Sequence, residues 1–157
     1  MAAEQRTLTL YRADGRPPEL IKEKGGMLTR ESRPLKDVKQ LFCRDPRAFE
    51  ESHVRSNLPY LVSTATDEEC GGLANDRFLY RITIPGLYRF EQTPPARSRI
   101  LKKPVIYANA PSFEAATMVL METAKQTGEV DFFDGIPLRY IEACRAPRET
   151  HFRKISD

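Results

Sequence analysis

The sequence predicts an α+β domain, and three observations carry that expectation. The chain has 157 residues, room for one domain with a sizeable core and cramped for two. Helical signals fall early, between Pro17 and His53, whereas strand-like runs dominate from Tyr60 onward. Hydrophobic residues make up 40% and charged residues 30%, which excludes collagen-like, mucin-like and wholly disordered chains. No internal repeat or low-complexity segment divides the chain, so residues 1–157 read as a single domain.

Thr7-Leu-Thr-Leu-Tyr-Arg12 alternates and is rich in strand-favouring types, so it reads as the first strand. Asp14-Gly15 turns the chain. Pro17-Pro18 can open a short helix over Glu19 to Lys24, with Gly25-Gly26 ending it in a left-handed conformation. Leu35, Val38, Leu41 and Phe42 fall at helical spacing, and Asp45-Pro46 breaks that run and starts a third helix through Phe49 and His53. Tyr60-Leu-Val-Ser-Thr64 is a short strand, followed by a loop around Cys70-Gly71-Gly72. Arg77 to Ile84 is the clearest strand in the chain, ended by Pro85-Gly86, with Leu87 to Phe90 extended beyond it. A loop over Gln92 to Arg99 leads to a strand at Pro104 to Ala108. Ser112 then stands as the N-cap of a helix whose face is Phe113, Ala116, Leu120 and Ala124. Val130 to Phe133 and Leu138 to Cys144 are the last strands, and about 145–157 reads as a charged tail.

Twenty-five Lys+Arg against 22 Asp+Glu leave a net charge of only +3, which argues against backbone-driven nucleic-acid binding. Cys43, Cys70 and Cys144 are odd in number and far apart, as expected of cytosolic thiols rather than a disulfide framework or a Cys-x-x-Cys metal site. His53 and His151 have no partner at metal-ligand spacing, so no metal is expected. No stretch approaches the roughly 18 apolar residues of a membrane span, and the start Met-Ala-Ala-Glu-Gln-Arg-Thr lacks the apolar run of a Sec signal. A soluble monomer is the expectation.

Chemistry enters through three segments. The first is Leu10-Tyr-Arg-Ala-Asp-Gly-Arg-Pro-Pro-Glu-Leu-Ile-Lys-Glu-Lys-Gly-Gly26. An arginine at a strand end beside a tight turn offers a rigid fork of donors to phosphate or ribose oxygens, and equally can close a salt bridge with Asp14. The second is Tyr60-Leu-Val-Ser-Thr-Ala65, whose hydroxyls can line a site or simply bond backbone. The third is Gly128-Glu-Val-Asp-Phe-Phe-Asp-Gly-Ile-Pro137, with Glu129 at a strand start.

In this order the three segments resemble the toxin-type mono-ADP-ribosyltransferases, the family of the catalytic A chains of cholera toxin and the heat-labile enterotoxins. The first resembles the family's arginine motif and the second its Ser-Thr-Ser strand, with Ala65 departing from the last serine. The third is similar to the strand of the catalytic glutamate, where Glu-Val is followed at the same spacing by Gly-Ile-Pro. The resemblance implies an ADP-ribosyltransferase fold: two small crossed β-sheets with flanking helices and an NAD cleft between them. It implies Arg12, Ser63, Thr64 and Glu129 as catalytic residues, and Arg12, Ala13, Asp14, Arg16 and Ser63 as contacts to NAD, the co-substrate. Cleavage of the nicotinamide–ribose bond passes through an oxocarbenium-like transition state, which a carboxylate such as Glu129 stabilises more than it stabilises ground-state substrate.

One position departs from the family in a way that bears on the acceptor. Arginine-modifying members carry Glu or Gln two residues before the catalytic glutamate, and Thr127 stands there. Thr127 cannot help deprotonate a guanidinium whose pKa is above about 12. The resemblance therefore implies a mono-ADP-ribosyltransferase toxin or effector acting on a non-arginine acceptor such as a threonine hydroxyl. The acceptor would be a target-cell protein in the cytosol, with ubiquitin and GTP-binding proteins as candidates. Thr127, Phe132 and Phe133 are the expected acceptor-side residues. An NAD glycohydrolase and an inactive binding module of the same fold are the alternatives.

Overall fold

The structure is a computed structural model that describes residues 5–29, 61–72, 74–91, 105–112, 115–122, 129–133 and 135–155. The expected helices around Leu35 to Phe42 and Asp45 to His53 lie outside these residues, as do Cys43, the loop Gln92 to Arg99, and Thr127. The described elements are β1 (Arg6–Asp14), α1 (Pro18–Lys24), β2 (Gly26–Met27), β3 (Leu61–Ala65), β4 (Phe78–Glu91), β5 (Val105–Ala108), β6 (Val119–Glu122), β7 (Glu129–Phe133), β8 (Ile136–Pro137), β9 (Ile141–Arg145) and β10 (Arg153–Lys154).

Eight strands form one antiparallel sheet in the order β1-β3-β7-β6-β5-β4-β9-β10, and an additional β1–β4 ladder closes the first six into a barrel. β9 and β10 extend from β4 outside the ring, and β2 and β8 form a separate two-stranded ribbon. This corrects the α+β expectation and the pair of crossed sheets with a cleft between them. Among the described residues the chain is mostly β, with one short α-helix and a closed six-stranded barrel.

Two local events convert the expected layout into a ring. The first is at Pro85-Gly86, which was expected to end a strand. β4 instead continues to Glu91, with Gly86 in the left-handed region at φ 71°. Between the pairs Leu8↔Ile84 and Arg6↔Leu87, β4 spends one residue more than β1, so the dipeptide is a bulge that bends the strand. Bent this way, one strand pairs with β1 along its first part and with β5 over Tyr88 to Glu91.

The second event is at residues 112–124, expected as a helix. The Ser112 hydroxyl does accept a hydrogen bond from the Ala115 amide, at 3.3 Å, as an N-cap would, but Ala115 lies in a turn and β6 follows from Val119. Asn109 then captures the chain, its side-chain oxygen accepting from the amides of Thr117 and Met118 at 2.9 and 3.0 Å. Those bonds start β6 in register between β5 and β7. Of the positions read as a helical face, Leu120 serves the barrel instead, fully buried opposite Phe132, and Ala116 is buried, while Phe113 and Ala124 lie outside the described residues. Tertiary pairing overrides the helical spacing here.

Other expectations match the structure. α1 begins at Pro18 and ends at Gly25, whose φ of 78° is the left-handed cap that glycine adopts without a Cβ penalty. The barrel interior is filled by the alternate residues of each strand, among them Leu10, Val62, Tyr80, Ile82 and Phe132. The segment after Arg145 departs from the expected charged tail: β10 pairs with β9, the Ile155 amide donates to the Glu142 carbonyl, and Ile155 is buried in the core. No described helix is long and apolar enough to cross a membrane.

Candidate functional site

The end of β1 carries a compact charge cluster. Leu10, Arg12 and Asp14 alternate along one face of the strand; Leu10 enters the core, and the two charged residues sit beyond it toward the strand's end. Asp14 is only 6% exposed and is the hub. Its carboxylate accepts from Arg12 Nε at 3.0 Å, from Arg16 Nε and Nη2 at 2.9 and 2.7 Å, and from the Arg16 backbone amide at 2.9 Å. The Tyr80 hydroxyl, buried in the barrel, donates to the Arg16 carbonyl and fixes the turn from the other side. Burial alone would raise the Asp14 pKa. The bonds from Arg16 and the charges of both arginines outweigh it and bring the pKa down to about 2.

Arg12 is held twice, because its Nη1 also donates to the Ser63 carbonyl at 2.7 Å. Two of its five N–H donors are thus engaged with described residues, and the side chain keeps 27% of its surface exposed. A guanidinium anchored through Nε and one Nη, with its remaining edge open, is a rigid fork for an anionic or hydroxylated ligand.

The next two strands bring in the other segments. β3 lies between β1 and β7, with Ala65 opposite Tyr11 on one side and Glu129 on the other. Residues directly opposite across a ladder share a face, so Tyr11, Ala65 and Glu129 stand in one row, with Ser63 and Asp131 in the next. Thr64 faces inward and its hydroxyl donates to the Val130 carbonyl at 2.8 Å, pinning β3 to β7 beside Glu129. Ser63 and Glu129 are half-buried. Arg12, Ser63, Thr64 and Glu129 therefore lie on three consecutive strands, although 117 positions separate Arg12 from Glu129 in the chain. They do not share one face: Arg12 and Thr64 are on the inner face with Leu10, whereas Ser63 and Glu129 are on the outer face with Tyr11.

The glycines at the ends of the first and third segments meet as well. Gly26 pairs with Pro137 and Met27 with Ile136 in the β2–β8 ribbon, and the Leu138 amide donates to the Gly25 carbonyl at 2.9 Å. The approach is too close for any side chain. A Cβ on Gly26 would lie 2.1 Å from the Ile136 carbonyl oxygen, and one on Gly135 would lie 2.7 Å from that of Met27. Beside this ribbon a groove of about 240 Å³ opens between Arg16 and Lys24, floored by Leu20, Ile21 and Leu28.

Not every expected residue reaches this place. Phe132, expected at the acceptor side, is fully buried in the core opposite Val62 and Leu120, because strand alternation turns it inward. Phe133 is described only as a backbone pair of Leu61. Ala13 faces away from Asp14, and its backbone amide meets the Cys70 thiol, whose pKa burial pushes up. The Arg12–Asp14 ion pair offered by the sequence is present, whereas the role of Tyr80 was not legible, since nothing in sequence spacing places Tyr80 beside Arg16. No protein-family model and no curated protein sequence matches the chain.

Proposed function

We propose that the chain is a mono-ADP-ribosyltransferase that cleaves the nicotinamide–ribose bond of NAD and passes ADP-ribose to a hydroxyl of an acceptor protein. The observation that carries the proposal is that β1, β3 and β7 lie side by side, with Arg12 reaching the Ser63 carbonyl, so that Arg12 and Thr64 on the inner face and Ser63 and Glu129 on the outer face stand on the same three strands. It rests on these residues and not on the overall fold. The open edge of Arg12 would hold a phosphate or ribose oxygen, with Asp14 setting its angle. Arg16, Lys24 and the apolar floor of the adjoining groove suit the remainder of a dinucleotide, which needs both cations and apolar surface. Glu129 would oppose the positive charge that develops on the ribose as the carbon–nitrogen bond breaks. Nicotinamide leaves with the bonding electrons, the acceptor oxygen forms the new bond to the same carbon, and the acceptor's proton is lost to a base or to water.

Thr127 supports a non-arginine acceptor, because it supplies no carboxylate two residues ahead of Glu129. The natural setting for the activity is the cytosol of a target cell, with ubiquitin and a GTP-binding protein as acceptors to assay first. The test is incubation with labelled NAD and cell lysate, followed by mass spectrometry of labelled protein. Label on serine or threonine that disappears with Glu129→Ala supports the proposal. Label on arginine overturns the acceptor assignment, and nicotinamide release without protein label makes the enzyme a glycohydrolase.

A further inference from the structure

Outside this site the described surface holds a second concentration of cations, on the face of β4, β9 and β10. Its centre is Phe152, a half-buried ring between two guanidinium groups: Arg81 lies 4.7 Å from the ring centroid and Arg145 lies 5.6 Å from it. The Tyr11 ring stands 6.5 Å away at a tilt. On β10, the terminal strand of the sheet, exposed Lys154 lies in the row of Ala143 and Arg81 and so on this face, whereas Arg153, in the row of Cys144 and Tyr80, faces the other side. The only carboxylate bonded into the cluster among the described residues is Glu142, half-exposed, which accepts from the Thr83 hydroxyl at 2.7 Å and from Arg81 through long contacts of 3.3 and 3.4 Å. Guanidinium groups stacked on a ring keep their N–H edges for oxygen acceptors.

Resting on the transferase assignment above, we infer that this face is the docking surface for the acceptor protein, and that it takes an acidic segment. Charge complementarity selects the occupant: Arg81 and Arg145 stack on one ring with Lys154 on the same face, three cations against one carboxylate, and the long contacts of Arg81 to Glu142 leave its donors able to turn to a partner's carboxylate. A protein fits better than a nucleic acid. Phe152 is already covered by arginines and offers no ring for base stacking, and Glu142 interrupts the patch where a phosphate chain needs continuous positive charge. The location suits an acceptor. Tyr11 precedes Arg12 in the chain and lies opposite Arg81 across β1 and β4, and along the sheet it stands two strand spacings, about 10 Å, from Glu129.

The experiment uses a fluorescein-labelled glutamate-rich peptide and a single-stranded RNA of equal length, each titrated with the full chain and followed by anisotropy. The variant is Arg81→Glu/Arg145→Glu/Lys154→Glu, with Arg81→Gln/Lys154→Gln as the milder form. Thermal melting confirms that both fold, and nicotinamide release from NAD is measured in parallel. The expected result is peptide binding that the triple variant weakens at least about tenfold at low salt and the double variant weakens less, with nicotinamide release unchanged. Peptide binding that the folded variants retain overturns the inference, as does tighter binding of RNA that the variants lose. If the chain releases no nicotinamide yet the variants lose the peptide, the transferase assignment fails and the acidic-segment surface stands.

Discussion

Two arginine–carboxylate clusters lie on opposite faces of β1 and its neighbours, and they behave differently because water reaches only one of the two carboxylates. Around Asp14 the carboxylate is nearly buried, takes four hydrogen bonds from Arg12 and Arg16, and has its pKa brought down to about 2. Around Glu142 the carboxylate is half-exposed. Its pKa is also lowered, first by the Thr83 hydroxyl and then by Arg81, but solvent screens the pair. The same side-chain chemistry thus makes a rigid scaffold in one place and an exchangeable surface in the other. The buried cluster suits a site that must hold a guanidinium at a fixed angle, and the exposed one suits contact with a partner.

That contrast can be broken by mutation. The largest expected effect is on turnover: Arg12→Lys keeps the charge but loses the fork, and should lower nicotinamide release by at least about 100-fold, whereas Arg81→Lys should leave it unchanged. Second is stability. Asp14→Ala leaves two arginines without their shared partner and should cost about 3 kcal/mol or more in chemical denaturation. Third is acid sensitivity. Asp14 has a lower pKa folded, about 2, than its ordinary 3.8, so its contribution is present above pH 4 and is lost as the pH falls from 4 toward 2. The shift corresponds to about 2 kcal/mol, and Asp14→Asn should flatten the acid limb of a stability-against-pH curve by that amount. Smallest is the exposed pair: Glu142→Gln should change stability by less than about 1 kcal/mol.

Much of the local structure was legible because local chemistry decides it. The Pro17-Pro18 start and Gly25-Gly26 stop of α1, the alternation of β1 and the strand at Ser63-Thr64 need only their own residues. The fold class was not, since it turns on two places where a distant partner overrules the local signal. Pro85-Gly86 ends a strand in isolation but becomes a bulge when β1 pairs on one side and β5 on the other. Residues 112–124 carry a helical stripe and a usable N-cap, yet Asn109 and the gap between β5 and β7 draw 119–122 into the sheet. The site shows the same division. Arg12, Ser63, Thr64 and Glu129 could be picked out by residue type and order, and their strands are adjacent. Tyr80 could not, because its hydroxyl reaches the Arg16 carbonyl only once β1 and β4 are in register.

The central claim is that the Arg12, Ser63 and Glu129 segments form one site that cleaves NAD. It is tested most directly by the rate of nicotinamide release from NAD by the purified chain and by Glu129→Gln, which is nearly isosteric and uncharged, with melting curves to show that both are folded. The account predicts measurable release by the parent chain and a loss of at least about 100-fold in the variant at unchanged melting temperature. Release by Glu129→Gln at the parent rate would contradict it, as would a folded parent chain that releases no nicotinamide with or without an acceptor protein.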